Sequence, residues 1–250
     1  MTFVDIQNDI AFRKIFGNEH KKIILISFLN AVLKRNDTNA IIDIEFKNTF
    51  QLPIIQNLKA SILDIKVTDK NNTSYIVEMQ VSEPAGIDKR LLYYTSKAYA
   101  QQIDIGDDYI KLKPIIFIGI FNFSFTKTNK YYSHHAICDV ESQERVLHDI
   151  DYFFIELPNF TKQAHELEDV MDKWIYFIKN AKELEVIPEN VEDKGLLEAY
   201  HNANKFNWTK EELIAYEYAA MREQDERGII SLAEKRAKES GKIEGKIEGK

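Results

Sequence analysis

Asp64, Glu78 and Gln80 are the residues of this chain whose types and spacing could do chemistry. They lie in the stretch SILDIKVTDKNNTSYIVEMQV, residues 61–81, where two apolar, β-branched runs flank the polar turn Asp69-Lys70-Asn71-Asn72-Thr73. That pattern predicts a β-hairpin. With the turn centred on Asn71, Asp64 faces Glu78 and Ile62 faces Gln80. Strand side chains alternate, so one face carries Asp64, Glu78 and Gln80. Leu63, Ile65, Val67, Tyr75, Val77 and Met79 then point the other way. Directly opposed carboxylates repel and destabilise a strand pair. A divalent cation removes that penalty, and oxygen ligands of this kind suit Mg²⁺ or Mn²⁺. On these residues alone, the competing reading is a solvated hairpin with unrelated surface acids.

The flanking sequence must position the hairpin. Asn8 or Asp9 can cap a first helix that carries Phe12, Ile15 and Phe16, with Gly17 interrupting it. The apolar stripe resumes at Ile23, Ile26, Leu29 and Leu33. Residues 41–57 are mixed, with a short strand ending near Pro53. After the loop Glu83-Pro84-Ala85-Gly86, a helix is expected over 87–103. Its residues Arg90, Tyr94, Lys97 and Gln101 recur at i, i+4, i+7 and i+11, one polar stripe that on pattern alone is a wet face. Gly106, Asp107 and Asp108 break that helix before Lys113–Phe121, which reads as a strand buried on both faces. Helix, strand pair, helix and buried strand make an α/β pattern with a mixed sheet.

A second strand pair follows, Tyr131 to Val140 and Val146 to Leu157, around a Glu-Ser-Gln-Glu turn. From about Lys162 the chain reads as helical, and Thr209 with Glu212 has capping-box spacing ahead of Leu213, Tyr216, Tyr218 and Met221. The end repeats Gly-Lys-Ile-Glu from Gly241. Glycine costs about 1 kcal/mol per helical position, so this tail is a marginal helix without a supporting partner. The organisation expected is residues 1–160 as one α/β unit, 161–227 as a helical region and 228–250 as a charged tail.

Composition sets outer bounds. With 44% hydrophobic and 12% aromatic residues, the 250-residue chain can fill a sizeable core. A formal charge of −7 argues against a general nucleic-acid coating protein, while leaving room for a local basic patch. Cys138 is the sole cysteine, so an intramolecular disulfide or a cysteine-rich zinc site is excluded. His134 and His135 are adjacent and point to opposite strand faces, a poor metal pair. The start, MTFVDIQNDIAFRK, lacks an apolar stretch of signal-peptide length, and the longest apolar run is too short to span a bilayer. A cytoplasmic setting with no membrane partner is the expectation.

Together the stretches NDIAFRKIFG (8–17), LDIKVTD (63–69), VEMQV (77–81) and KRLLYYTSKAYAQQIDIGDDY (89–109) resemble the PD-(D/E)XK nuclease superfamily. More narrowly they resemble its bacterial branch of recombination-promoting nucleases or transposases, the Rpn family. The resemblance covers residues 5–160 best. It implies a restriction-endonuclease-like α/β fold with a helical C-terminal region, and a divalent-metal-dependent DNA endonuclease. Asp64 and Glu78 match the acids that hold the ion, Mg²⁺ with Mn²⁺ or Ca²⁺ as alternatives, and the Met79 carbonyl completes that shell. Gln80 stands at the position of the superfamily lysine, as is usual in this branch, and would orient water or phosphate by hydrogen bonds alone. Asp9 matches the acid of the branch's first helix, as a further ligand or behind one; the bare residue reads equally as a helix cap. Arg13 stands where lysine is more usual, with Lys14 beside it, and both suit phosphate contact. Arg90, Tyr94 and Lys97 are the remaining candidates for the DNA backbone. The alternative is a catalytically idle member that binds DNA or protein, and the tail leaves open a homo-oligomer formed through the C-terminal region.

Overall fold

The computed structural model describes residues 2–51 and 61–248, so Pro53 lies outside the described residues. Asn8 caps α1 (Asp9–Phe16), its side-chain carbonyl accepting the Ile10 and Ala11 N–H groups, and Gly17 ends it. A single 3-10 turn, Glu19–Lys21, separates it from α2 (Lys22–Val32). That turn resets the helical phase. The buried stripe of α2 is therefore Ile24, Leu25, Phe28, Leu29 and Val32, and the expected Ile23 is 45% exposed.

Strands β1 (Ile44–Phe46), β2 (Phe50–Gln51), β3 (Ser61–Ile62), β4 (Ile65–Asp69) and β5 (Ser74–Gln80) follow. The hairpin has the expected register, with Ile65 opposite Val77 and Thr68 opposite Ser74. Asp69 closes the turn by accepting the Asn71 and Thr73 N–H groups, and Asn72 takes the left-handed conformation there, φ 60°. The ladder with β5 begins only at Ile65, however, and Ile62 pairs with Phe50 of β2 rather than facing Gln80. A bend at Asp64 separates β3 from β4. It also corrects the expected alternation, because Leu63 packs on the opposite side of the sheet from Ile65 and Val67.

Next come α3 (Ile87–Ala100), β6 (Ile115–Phe121), β7 (Tyr132–Ala136), β8 (Ile150–Glu156), α4 (Val170–Asn180), α5 (Lys194–Ala203) and α6 (Lys210–Glu248). The main sheet has the order β1-β4-β5-β6-β8-β7. β5, β6 and β8 run parallel at its centre, and antiparallel strands complete both edges. This is the mixed α/β sheet expected from the pattern. β6 is buried along its whole length, as its unbroken apolar run predicts. On one face Ile76, Phe117, Phe121 and Phe154 pack under Ile87, Leu91 and Ala98 of α3. On the other, Val67, Val77, Ile118 and Ile155 join α1, α2, α4 and α5 around Phe16, Phe28 and Trp174.

Thr209 and Glu212 form the expected capping box, each backbone N–H donating to the other's side chain at 2.8 and 3.2 Å. The first turns of α6 are pinned to α1. The Asp5 N–H donates to the Tyr216 hydroxyl, Lys14 pairs with Glu212, and Asn8 Nδ2 donates to the Tyr216 carbonyl. From there α6 continues as helix through the glycine repeat to Glu248.

Candidate active site

Asp64 and Glu78 meet at the bend. The Asp64 N–H donates to Glu78 Oε1 at 3.0 Å, and the Met79 N–H donates to Asp64 Oδ2 at 2.9 Å. Crossed side-chain-to-backbone bonds thus hold the two arms where β4 has no ladder residue. Each carboxylate is thereby tied to the backbone of the opposite arm. Glu78 is 2% exposed and the Asp64 side chain 10%. One guanidinium meets them directly, Arg13 Nη2 at 2.8 Å from Asp64 Oδ1. Gln80 Nε2 lies 3.4 Å from Glu78 Oε2, a long contact that steers more than it binds.

The electrostatic consequence is large. Burial, then the charge of Asp64, push the Glu78 carboxyl up from 4.5 to about 8. Asp64 is raised as well, by burial, against the opposing pull of Arg13 and the Met79 N–H. Two acids kept in such surroundings are costly unless another cation joins them. The donor set fits a hard divalent ion: two carboxylates, each hydrogen-bonded to the backbone at or beside the other acid, with the backbone of Met79 alongside. Among the described residues no group of three or more His, Cys, Asp or Glu side chains gathers. An ion here would complete its shell from backbone and water, as Mg²⁺ readily does.

A cavity of about 470 Å³ opens over the pair, and Asp9, Arg13, Asp64, Glu78, Gln80 and Arg90 all line it. Six of the sequence-derived candidates, with Met79, therefore come together. Asp9 takes the rim. Asn8, not Asp9, is the helix cap, and the Asp9 carboxylate lies 4.0 Å from Arg222. The other three candidates fall elsewhere. Lys14 turns away to Glu212 and sits 5.1 Å above the Trp208 ring. Tyr94 packs against the α3 side of the sheet and takes the Arg90 guanidinium over its ring at 5.2 Å. Lys97 is no part of a wet stripe: it is 6% exposed, 5.6 Å over the Tyr93 ring, and burial lowers its pKa. The expected polar stripe breaks because α3 rolls its Thr95–Ala98 turn onto the sheet, so that only its first turn reaches the cavity.

Two features escaped the sequence reading. Ala219 and Arg222 of α6 form one wall of the cavity. No local pattern marks them, since only long-range docking brings α6 there. Gly119 stands beside Glu78 in the β5–β6 register, and a Cβ on it would fall 2.4 Å from the Phe121 ring. Its signal was present, a glycine inside a run of bulky apolar residues.

A family model described as PD-(D/E)XK nuclease family transposase matches residues 6–233. Neither the curated proteins nor the solved structures give a match.

Proposed function

The chain belongs to the PD-(D/E)XK nuclease family transposases, with their restriction-endonuclease-like fold, and from that membership we propose that it is a divalent-metal-dependent DNA endonuclease. The observation that carries this reading is the buried, cross-bonded Asp64–Glu78 pair lining a cavity that three arginines also line. Asp64, Glu78 and the Met79 carbonyl are the groups that would hold the ion. Bound there, Mg²⁺ or Mn²⁺ supplies an activated water and offsets charge on the phosphate oxygens. The chain's own residues do the rest. The crossed backbone bonds hold both carboxylates in place before substrate arrives, so little reorganisation remains during the reaction. Gln80 orients water or the scissile phosphate through its carboxamide. Arg90 of α3 and Arg222 of α6 bring positive charge to the phosphate, and Arg13, already on Asp64, lines the same cavity. A recombination, mobile-element or defence role is the setting this chemistry fits.

The test is nicking of supercoiled plasmid across Mg²⁺, Mn²⁺ and Ca²⁺. The wild type should nick with at least one of these ions and stop in EDTA, while Asp64→Ala and Glu78→Ala lose nicking and keep wild-type circular dichroism. Nicking retained in both variants would overturn the assignment.

One observation favours a second reading. Arg13 already occupies an Asp64 oxygen, and Gln80 brings no charge where a lysine would. A member that binds DNA without cutting it would show DNA binding and no nicking with any of the ions.

A further inference from the structure

A second chamber adjoins the acid cavity, and the two share Asn8 and Val81 in their walls. Its volume is about 310 Å³, several times the room one water needs. Tyr216, Ala220 and Gln224, one stripe of α6, form its roof, and Gln7, Asn122 and the Asp5–Lys182 pair complete it.

Most of its polar side chains are committed to the fold. Asn8 caps α1 and donates to the Tyr216 carbonyl. Asp5 accepts the Gln7 N–H and the Lys182 ammonium, at 3.1 and 2.8 Å. The Tyr216 hydroxyl accepts the Asp5 N–H. Of the three that remain, Gln7, Asn122 and Gln224, only Gln7 is buried. It is 7% exposed, yet among the described residues its carboxamide makes no hydrogen bond, only its backbone N–H does. A buried primary amide with two donors and an acceptor unused is destabilising, because the water it gave up is not replaced. Such a group calls for a ligand that supplies the missing bonds.

The contrast between the chambers defines that ligand. The acid cavity holds the guanidinium groups and suits phosphate, whereas the chamber beside it is lined by carboxamides and a self-neutralised ion pair. A nucleotide has the same division, a charged phosphate joined to a flat, neutral base whose edge carries donors and acceptors. We propose that this chamber receives a nucleobase of the substrate strand, next to the phosphate at the acid pair, and that the Gln7 carboxamide bonds its edge. Asn122, half-buried and lining the same chamber, would hold the same base. This rests on the nuclease reading and adds the part of the substrate that the phosphate site cannot sense. The base must leave its stack to enter, so the preferred substrate carries an unpaired or extruded nucleotide.

The test separates base from phosphate. Dye-labelled single strands of one length, one set bearing bases and one abasic throughout, are titrated with the full chain in Ca²⁺ and followed by fluorescence anisotropy. The wild type should bind the base-bearing strand at least about fivefold more tightly than the abasic one, since a well-placed amide–base pair is worth roughly 1–3 kcal/mol. Gln7→Leu should bring that ratio to within twofold and leave abasic affinity unchanged. Asn122→Ala, at a half-exposed position that spares the fold, should reduce the ratio in the same direction. Arg90→Ala should lower both affinities alike. A wild-type ratio near one, or a ratio unaltered in Gln7→Leu and Asn122→Ala, overturns the proposal and leaves the chamber to ordered water. Failure of the wild type to bind either strand instead removes the DNA reading itself.

Discussion

At the scale of residues, the site is a stored electrostatic cost. Glu78 takes its proton at about 8 in the fold and at 4.5 ordinarily, so the folded state binds more protons between those limits. Its contribution to stability is therefore full below pH 4.5 and is lost as pH rises through 8. One proton limits the slope to about 1.4 kcal/mol per pH unit. In EDTA, Glu78→Gln should melt higher than wild type at pH 8 and close to it at pH 5. Equal melting temperatures at both pH values would contradict the buried-pair account. Arg13 is half-exposed, so its bond to Asp64 is worth less to stability than its geometry implies. Arg13→Ala should cost at most about 1 kcal/mol in urea unfolding and leave Glu78 titrating still higher.

At the scale of elements, what the sequence made legible was the part governed by local rules. The Asp69–Thr73 turn and the period-two alternation set the register that brings Asp64 to Glu78. The unbroken apolar run of β6 and the capping box of α6 follow equally local patterns. The bend at Asp64 was not legible, because a crossed pair of side-chain bonds replaces the ladder only when both carboxylates are present in three dimensions. The split polar stripe of α3 has a similar origin. Spacing predicts which residues share a face, but the roll of the helix on the sheet decides that Lys97 is covered and Arg90 is not. Gly119 gives this scale its test. The Phe121 ring beside it is held by Phe123, Phe125 and Phe154 and has little room to move. Gly119→Ala should cost about 1–3 kcal/mol in urea unfolding, as overpacking does. An unchanged midpoint would show that the space beside Glu78 is looser than it looks.

At the scale of the whole molecule, the acid pair is built at one end of the chain and walled from the other. Tyr216 and Glu212 dock α6 onto α1, and that docking delivers Arg222 to the cavity. Ala219 and Arg222, from the region expected to be separate and helical, line that cavity, and nothing local in the last helix advertises their place. A chain ending after residue 227 keeps Ala219, Arg222 and Gln224, and should bind DNA within about twofold of the intact chain. One ending after residue 209 should lose most of that affinity, as read by anisotropy. The chain carries −7 overall, so on the proposed reading any attraction to DNA must come from the local group Arg13, Arg90 and Arg222. Three such contacts give a log K against log salt slope of about −2 to −3. The most direct test of the account is calorimetric titration of Mn²⁺ into wild type and Glu78→Gln at pH 7.5. The wild type should bind the ion with proton release and gain thermal stability, and the variant should lose at least tenfold in affinity. Indistinguishable binding by the two proteins would contradict the assignment of Asp64 and Glu78 as a metal site.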